Sequence, residues 1–243
     1  MRTLTPYPYA ITRWGAPAVP GSTVTLFAHT SKMPCPSFSI LAGETCPGAD
    51  FVSAASKCRV CYANPAERAL AHRSVGKYGT PTVINAQQVR TQWVRRCMMT
   101  NEGVAEFVAV VTAGIRYELR NVKAQKYFRL HDSGDFWSPR YVAAWHQVIR
   151  NLPGVLFWAP TQSWSIQKPV WQRALLALAA EPNMVLSPSG TEIDGAVPNV
   201  DGYAAGSAVV TSGELCPAPT QSNKCGACRR CWDKAAIRTY RLH

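Results

Sequence analysis

The chain has 243 residues, of which 47% are hydrophobic and 16% charged, so it can bury a sizeable core as one large domain or two small ones. Its formal net charge of +12 suits a partner rich in negative charge, but the basic residues are spread along the chain and establish no such binding alone. No stretch reaches membrane-spanning length and residues 1–22 lack a signal-peptide core, so we expect a cytoplasmic protein without a membrane partner.

The amino-terminal region predicts an arm and then a strand. Residues 1–21 are rich in Pro, Tyr and Gly and predict an extended arm, followed by a single α/β domain over residues 22–243. The β-branched and apolar segment Thr23–Ala28 predicts the first strand, and a long loop rich in Pro and Cys follows it to Tyr62. Three helices are predicted next, at Asn64–Arg73, Thr82–Met99 and Glu102–Arg120.

From residue 127 the chain alternates between short apolar strands and amphipathic helices. Ser138 and Pro139 are typical of a helix start, and Pro153-Gly154 marks its end. Strands that alternate with helices predict parallel βαβ units, so we predict an α/β fold built as a complete or partial parallel (β/α) barrel. The predicted elements are strand Tyr127–Leu130, helix 139–152, strand Val155–Ala159, helix Pro169–Ala180, strand Met184–Leu186 and strand Ala208–Thr211.

Polar residues follow the predicted strands at their carboxyl ends, which is where ligands bind in parallel α/β folds. His131, Asp132 and Asp135 come directly after strand 127–130 and are the candidate catalytic residues, because three titratable groups share one short loop. The hydroxyl residues after the later strands are interpreted as turn residues.

Eight of the nine cysteines form two groups near opposite ends of the chain. Each group contains a C-x2-C step, at which two thiolates can face one metal centre. A cytosolic chain keeps its thiols reduced and available for metal, whereas disulfides are typical of secreted chains. We therefore predict metal ligands. They are Cys46, Cys58 and Cys61 in the first group, with Cys35 in question, and Cys216, Cys225, Cys228 and Cys231 in the second.

The kind of metal stays open between iron–sulfur and zinc. The four thiolates of the second group suit zinc, but the compressed C-x2-C-x2-C run resembles four-iron ferredoxin spacing more than a zinc ribbon, so one or two 4Fe-4S clusters are favoured. The two ends of the chain could also close on a single shared cluster. Cys35 is either a fourth ligand of the first group or a free thiol, and Cys97 is interpreted as a buried structural thiol on a helix.

The pentapeptide 58–62 (CRVCY) lies between the first strand and a predicted helix. This C-x-Φ-C loop resembles the cluster loop of the radical S-adenosylmethionine enzymes, where three cysteines hold a four-iron cluster and the fourth iron binds the cofactor. The resemblance implies Cys46, Cys58 and Cys61 as ligands. The chain departs from the superfamily's C-x3-C-x2-C, and residues 133–135 (SGD) are only a loose substitute for its glycine-rich segment.

A second resemblance covers nearly the whole chain. It rests on T-C-P-G at 45–48, C-x-x-C-Y-A at 58–63, R-x-H-x-S-G-D-F at 129–136, Y-x-x-x-W at 141–145, C-P at 216–217 and C-x2-C-x2-C at 225–231. This series resembles the actinobacteriophage family called gene product eighty-eight. The resemblance implies a phage protein that acts in the cytoplasm of a bacterial host, and it supplies no reaction.

Two classes of function follow from these observations. In the first, iron–sulfur clusters are structural and the basic surface binds nucleic acid or a host protein, with zinc as the alternative metal. In the second, the chain is a radical S-adenosylmethionine-type enzyme whose first cluster has an open iron. The sequence leaves the substrate and the oligomeric state open.

Overall fold

The computed structural model describes residues 12, 15–30, 32–59, 61, 63 and 81–241. Seven strands in these ranges form one curled sheet, a half-barrel in which strands follow one another in chain order. The first pair is antiparallel and every later pair is parallel. The strands are β1 (Ala28–His29), β2 (Pro36–Phe38), β3 (Lys126–Leu130), β4 (Val155–Thr161), β5 (Met184–Ile193), β6 (Ser207–Val210) and β7 (Arg238–Arg241). The prediction of a parallel α/β fold is confirmed, in its partial-barrel form.

Four α-helices of the described residues accompany the sheet, at α1 (Pro81–Cys97), α2 (Asn101–Glu118), α3 (Pro139–Arg150) and α4 (Pro169–Ala179). Their starts follow from capping chemistry. Ser138 accepts a hydrogen bond from Tyr141 N at 3.1 Å, and Thr100 accepts one from Gly103 N at 3.0 Å. The helices predicted from periodicity in this part of the chain are confirmed, with ends that differ by a few residues.

The hydrophobic core lies between the helices and one face of the sheet. Alternate residues of the central strands, such as Phe128 and Phe157, are fully buried against helix residues, and Trp145 of α3 packs edge-on against Phe38. The intervening residues, such as Trp158, belong to a separate buried cluster on the opposite face. That opposite face is the inner face of the half-barrel, and it is covered by the carboxyl-terminal segment through Trp232.

The predicted first strand is wrong in its extent. Thr25 forms only an isolated bridge to Ala18, Leu26 and Phe27 are core residues, and the regular strand is β1. Neither β2 nor β7 was predicted, because Pro-Ser-Phe and Arg-Thr-Tyr-Arg lack an apolar run and owe their conformation to pairing with β3 and β6.

Some sequence predictions lie outside the described residues, namely most of the arm at 1–21 and the helix at 64–73. No helix within the described ranges is both long and apolar enough to cross a membrane.

Candidate functional site

The loop after β3 is held against the loop after β2. Asp135 N donates to Thr45 O at 3.1 Å, and Ile40 N donates to Ser133 O at 3.1 Å. Gly134 has φ of +82°, and a Cβ atom there would lie 2.4 Å from Ile40 Cγ1 and 2.6 Å from Thr45 Oγ1. Glycine is therefore required at this position both by its backbone conformation and by the close approach of the neighbouring loop.

Asp135 is a buried carboxylate that joins the loops after β3 and β4. It accepts hydrogen bonds from Thr161 Oγ1 (2.7 Å), Gln162 N (2.7 Å), Ser163 N (3.2 Å) and Phe136 N (2.7 Å). Burial raises its pKa, and these four donors oppose that shift. With two donors on each oxygen, Asp135 positions the loop backbone.

His131 points away from this loop cluster toward helix α3. It has φ of +58°, and its Nε2 lies 3.0 Å from the hydroxyl of Tyr141. Burial lowers its pKa to about 3, with a smaller contribution from the charge of Arg129, so the ring is neutral near pH 7. Asp132 instead accepts a hydrogen bond from Ser39 Oγ. The three candidate catalytic residues thus share a loop but contact different parts of the protein.

Three thiols gather at the carboxyl ends of the strands, and we call them the rim group: Cys46, Cys58 and Cys61. Cys58 Sγ donates to Gln162 Oε1 at 2.9 Å, and Cys61 N donates to Cys58 O at 3.3 Å. Burial raises the pKa of Cys46 to about 12, and nearby Asp135, Cys61 and Cys58 raise it as well. The pKa of Cys58 is likewise raised by burial and by Cys61, so the three thiols are neighbours.

Lys57 places a buried amine beside the rim group. Its Nζ lies 2.5 Å from Ser189 Oγ in β5, and its backbone N donates to Thr191 O at 3.1 Å. Burial lowers its pKa, whereas the charges of Cys58 and Asp135 raise it. Sequence analysis missed Lys57, for which adjacency to Cys58 was the only signal. Ser189 is one of the hydroxyl residues that were interpreted as turn residues, but it lies within β5.

Cys35 does not join the rim group. It precedes β2 at the opposite end of that strand and packs on the inner face beside Trp158, Trp232 and Cys231. Burial raises its pKa to about 12, Arg129 lowers it, and the charges of Cys225 and Cys231 raise it further. The structure therefore places this thiol with the second cysteine group. We call the set the inner-face group: Cys35, Cys216, Cys225, Cys228 and Cys231.

The inner-face group is fixed by strand β7 and its surroundings. Cys216 N donates to Thr239 O at 2.8 Å, and Cys228 N donates to Cys225 O at 3.0 Å. Buried Arg238 donates to the carbonyl of Cys231 at 3.4 Å. Burial raises the pKa of Cys231 to about 11. The C-x2-C-x2-C segment is thus anchored by a regular strand.

Two arginines surround the inner-face group with positive charge. The Arg129 guanidinium lies 4.9 Å from the ring centroid of Trp158, and that of Arg229 lies 5.4 Å from the ring centroid of Tyr127. The charge of Arg129 lowers the pKa of Cys35, although burial dominates there and raises it. The two arginines therefore reduce, without outweighing, the cost that burial imposes on a thiolate at this position.

All nine cysteines are free thiols, and Cys97 is buried in the helix-side core as predicted. Within the described part of the chain, no three His, Cys, Asp or Glu side chains are arranged to hold a single metal ion. The thiols are grouped without converging on one point.

Comparisons with known proteins place the chain in a family. The Gene product 88 family model matches residues 16–234. Over 121 residues, the chain is 38% identical to the Gene 88 protein of Mycobacterium phage L5 and 36% identical to that of Mycobacterium phage D29. The aligned part is 49% of this chain but only 44% and 43% of these relatives, so the match spans less than half of their length. No solved structure gives a significant match. This chain belongs to the Gene product 88 family.

Proposed function

We propose that this protein carries two iron–sulfur clusters, a reactive one at the rim group and a structural one at the inner-face group. The observation that carries the proposal is the division of the thiols, three at the strand ends and five on the inner face. Clusters of this kind need reduced thiols, so the proposal includes the cytoplasm of a bacterial host as the location.

The donor chemistry fits such clusters. Buried thiols with a pKa near 12, as at Cys35 and Cys46, stay protonated without a cation, and metal binding supplies the positive charge that stabilises their thiolates. A single zinc ion needs four donors within about 2.3 Å of one point. A four-iron cluster is held by cysteine thiolates, and the compressed C-x2-C-x2-C spacing of residues 225–231 resembles that of four-iron ferredoxins more than that of a zinc ribbon.

A rim group of three thiols supports a reactive site. Three cysteines leave one iron of a four-iron cluster open to an external ligand, and when bound such a cluster supplies an electron to that ligand. The rim lies at the carboxyl ends of parallel strands, and Lys57, Gln162 and Ser189 place an amine and other hydrogen-bonding groups around it. Lys57 would donate a hydrogen bond to the ligand. This arrangement supports an enzyme of the radical S-adenosylmethionine type.

The test is the electron paramagnetic resonance spectrum of the reduced protein with and without S-adenosylmethionine. We expect the added compound to change the spectrum, because a ligand at the open iron alters the cluster electronically. The Cys58→Ser variant should lose that response and keep the signal of the inner-face cluster. A wild-type spectrum that does not respond would refute the radical S-adenosylmethionine assignment.

Nucleic-acid binding is a second candidate function, and it is favoured by a basic groove at the amino ends of β3 and β4. This groove has a volume of about 600 Å³ and is lined by Arg116, Lys123 and Lys126 without a carboxylate among its lining residues. The Arg116 side chain is exposed and donates to Asn151 O at 3.0 Å. Such a surface fits a phosphate backbone, whose counterions are released on binding.

The groove is tested by the salt dependence of binding to a single-stranded oligonucleotide. The double variant Arg116→Glu/Lys123→Glu should weaken binding and flatten the plot of log K against log salt by roughly one unit or more. The control Lys168→Glu/Arg173→Glu changes the net charge equally on exposed residues elsewhere. Equal losses in both variants would show that overall charge, and not the groove, determines binding.

A further inference from the structure

Cys35 does not belong to a C-x2-C motif, so the sequence pattern does not predict which cysteine group it joins. It lies between Pro34 and Pro36, whose rings fix the backbone φ angles on both sides. Phe38 of β2 is buried in the helix-side core, whereas Cys35, which directly precedes this strand, packs with Trp158 and Trp232 on the inner side. The sequence of this segment therefore directs the thiol toward the carboxyl-terminal cysteines.

The carboxyl-terminal segment meets Cys35 through several contacts. Cys225 N donates to Lys32 O at 2.8 Å, which fixes the C-x2-C-x2-C segment beside the chain that leads into β2. Cys35 is only 6% exposed and shares its apolar surroundings with Cys231 and Trp232. Cys225 and Cys231 are thus spatial neighbours of Cys35, although they lie near the opposite end of the sequence.

We infer that Cys35 is a ligand of the inner-face cluster, so that one metal site joins the start of β2 to the carboxyl-terminal segment. This inference rests on the proposed function, since it assigns a ligand to one of the two proposed clusters. The inner-face group then contains five thiols for four positions, with Cys35 as its buried member and Cys225 and Cys231 partly exposed beside it. Such a cross-link would connect the start of β2 to the segment before β7, two strands that are not neighbours in the sheet.

Cys97 provides a matched control. Both Cys35 and Cys97 are buried thiols whose pKa burial raises to about 12, and neither belongs to a C-x2-C motif. Cys97, however, lies in the helix-side core. A substitution by alanine removes the same atoms at both positions, and only Cys35 is expected to remove a metal ligand.

The experiment measures iron and acid-labile sulfide in anaerobically purified Cys58→Ala protein, in which the remaining iron reports the inner-face cluster. Adding Cys35→Ala should remove at least half of that iron, whereas adding Cys97→Ala should leave it unchanged. In the wild-type background Cys35→Ala should keep the rim-cluster signal, which shows that the protein is still folded.

Each outcome decides the inference. Full iron content and an unchanged paramagnetic spectrum in Cys35→Ala would overturn it while leaving the two-cluster proposal in place. Loss of both clusters together would overturn it as well, because Cys35 would then be needed by the whole fold. If the Cys58→Ala parent contains no iron at all, the proposed function fails and the inference falls with it.

Discussion

The rim group and the inner-face group use the same side chain but lie in different surroundings. The rim thiols lie on the long segment after β2, which hydrogen bonds to Gln162 of the loop after β4 and, at Lys57, to Ser189 and Thr191 near the carboxyl end of β5. The inner-face thiols are held by strand β7, by Arg238 and by the aromatic residues that cover the sheet. On the proposed function, metal at the inner-face site would contribute mainly to stability, whereas the rim site would exchange ligands without unfolding the sheet.

The largest expected effect follows from this contrast. Cys231→Ser should lose the inner-face metal and several kcal/mol of the free energy of unfolding, because metal binding at structural sites contributes about 10 kcal/mol or more to folding. Cys58→Ser should lose rim metal with a much smaller loss of stability. Anaerobic denaturant unfolding together with metal analysis measures both. If the two variants lost equal stability, the proposed division of roles would be wrong.

A second, smaller effect concerns the loop that supports the rim. Asp135→Asn replaces one carboxylate oxygen by an amide N–H₂ group, which would face hydrogen-bond donors and accept from none of them. We expect this change to lower the free energy of unfolding by about 3 kcal/mol. We expect this variant to lose rim iron and to keep inner-face iron. Asp132→Asn is the control in the same loop and should keep both. Retention of all iron by Asp135→Asn would show that the rim site does not depend on this loop.

Sequence analysis predicted the architecture well wherever local pattern determines structure. The stripe of Tyr141 and Trp145 in α3 and its Ser138 cap are encoded within a dozen residues, so periodicity and capping were sufficient. Strand β2 could not be predicted, because only its partner β3 makes Pro36–Phe38 extended. The family resemblance was confirmed from motifs spread over the whole chain.

The candidate site was less predictable, since it depends on tertiary contacts. The loop 131–135 was recognised from its titratable residues, but their roles follow from which way each side chain turns. His131 has a positive φ and faces the helices. Asp135 accepts hydrogen bonds from backbone N–H groups of the loop after β4. The sequence left Cys35 open between a ligand of the first group and a free thiol, because its packing beside Trp158 and Trp232 depends on strand β2, which was not predicted.

The smallest predicted effect concerns His131, which is buried between the sheet and the helices that support both cysteine groups. His131 has a pKa near 3 in the folded protein and about 6.5 when unfolded. Its contribution to the free energy of unfolding is therefore complete above pH 6.5 and is lost as the pH falls from there toward 3. Between pH 7 and pH 5 this amounts to about 2 kcal/mol of unfolding free energy. The His131→Asn variant should lack this component. Metal release on acidification affects both proteins and cancels in their difference, so identical pH slopes would contradict a buried neutral His131.

The most direct test of the account is the content of iron, acid-labile sulfide and zinc in wild-type, Cys58→Ala and Cys231→Ala proteins purified without oxygen. Two separate four-iron clusters predict roughly eight iron and eight sulfide per wild-type chain, and about half of each in either variant. A colourless protein with stoichiometric zinc would contradict the iron–sulfur assignment. Complete loss of iron in both variants would contradict the separation of the rim group from the inner-face group.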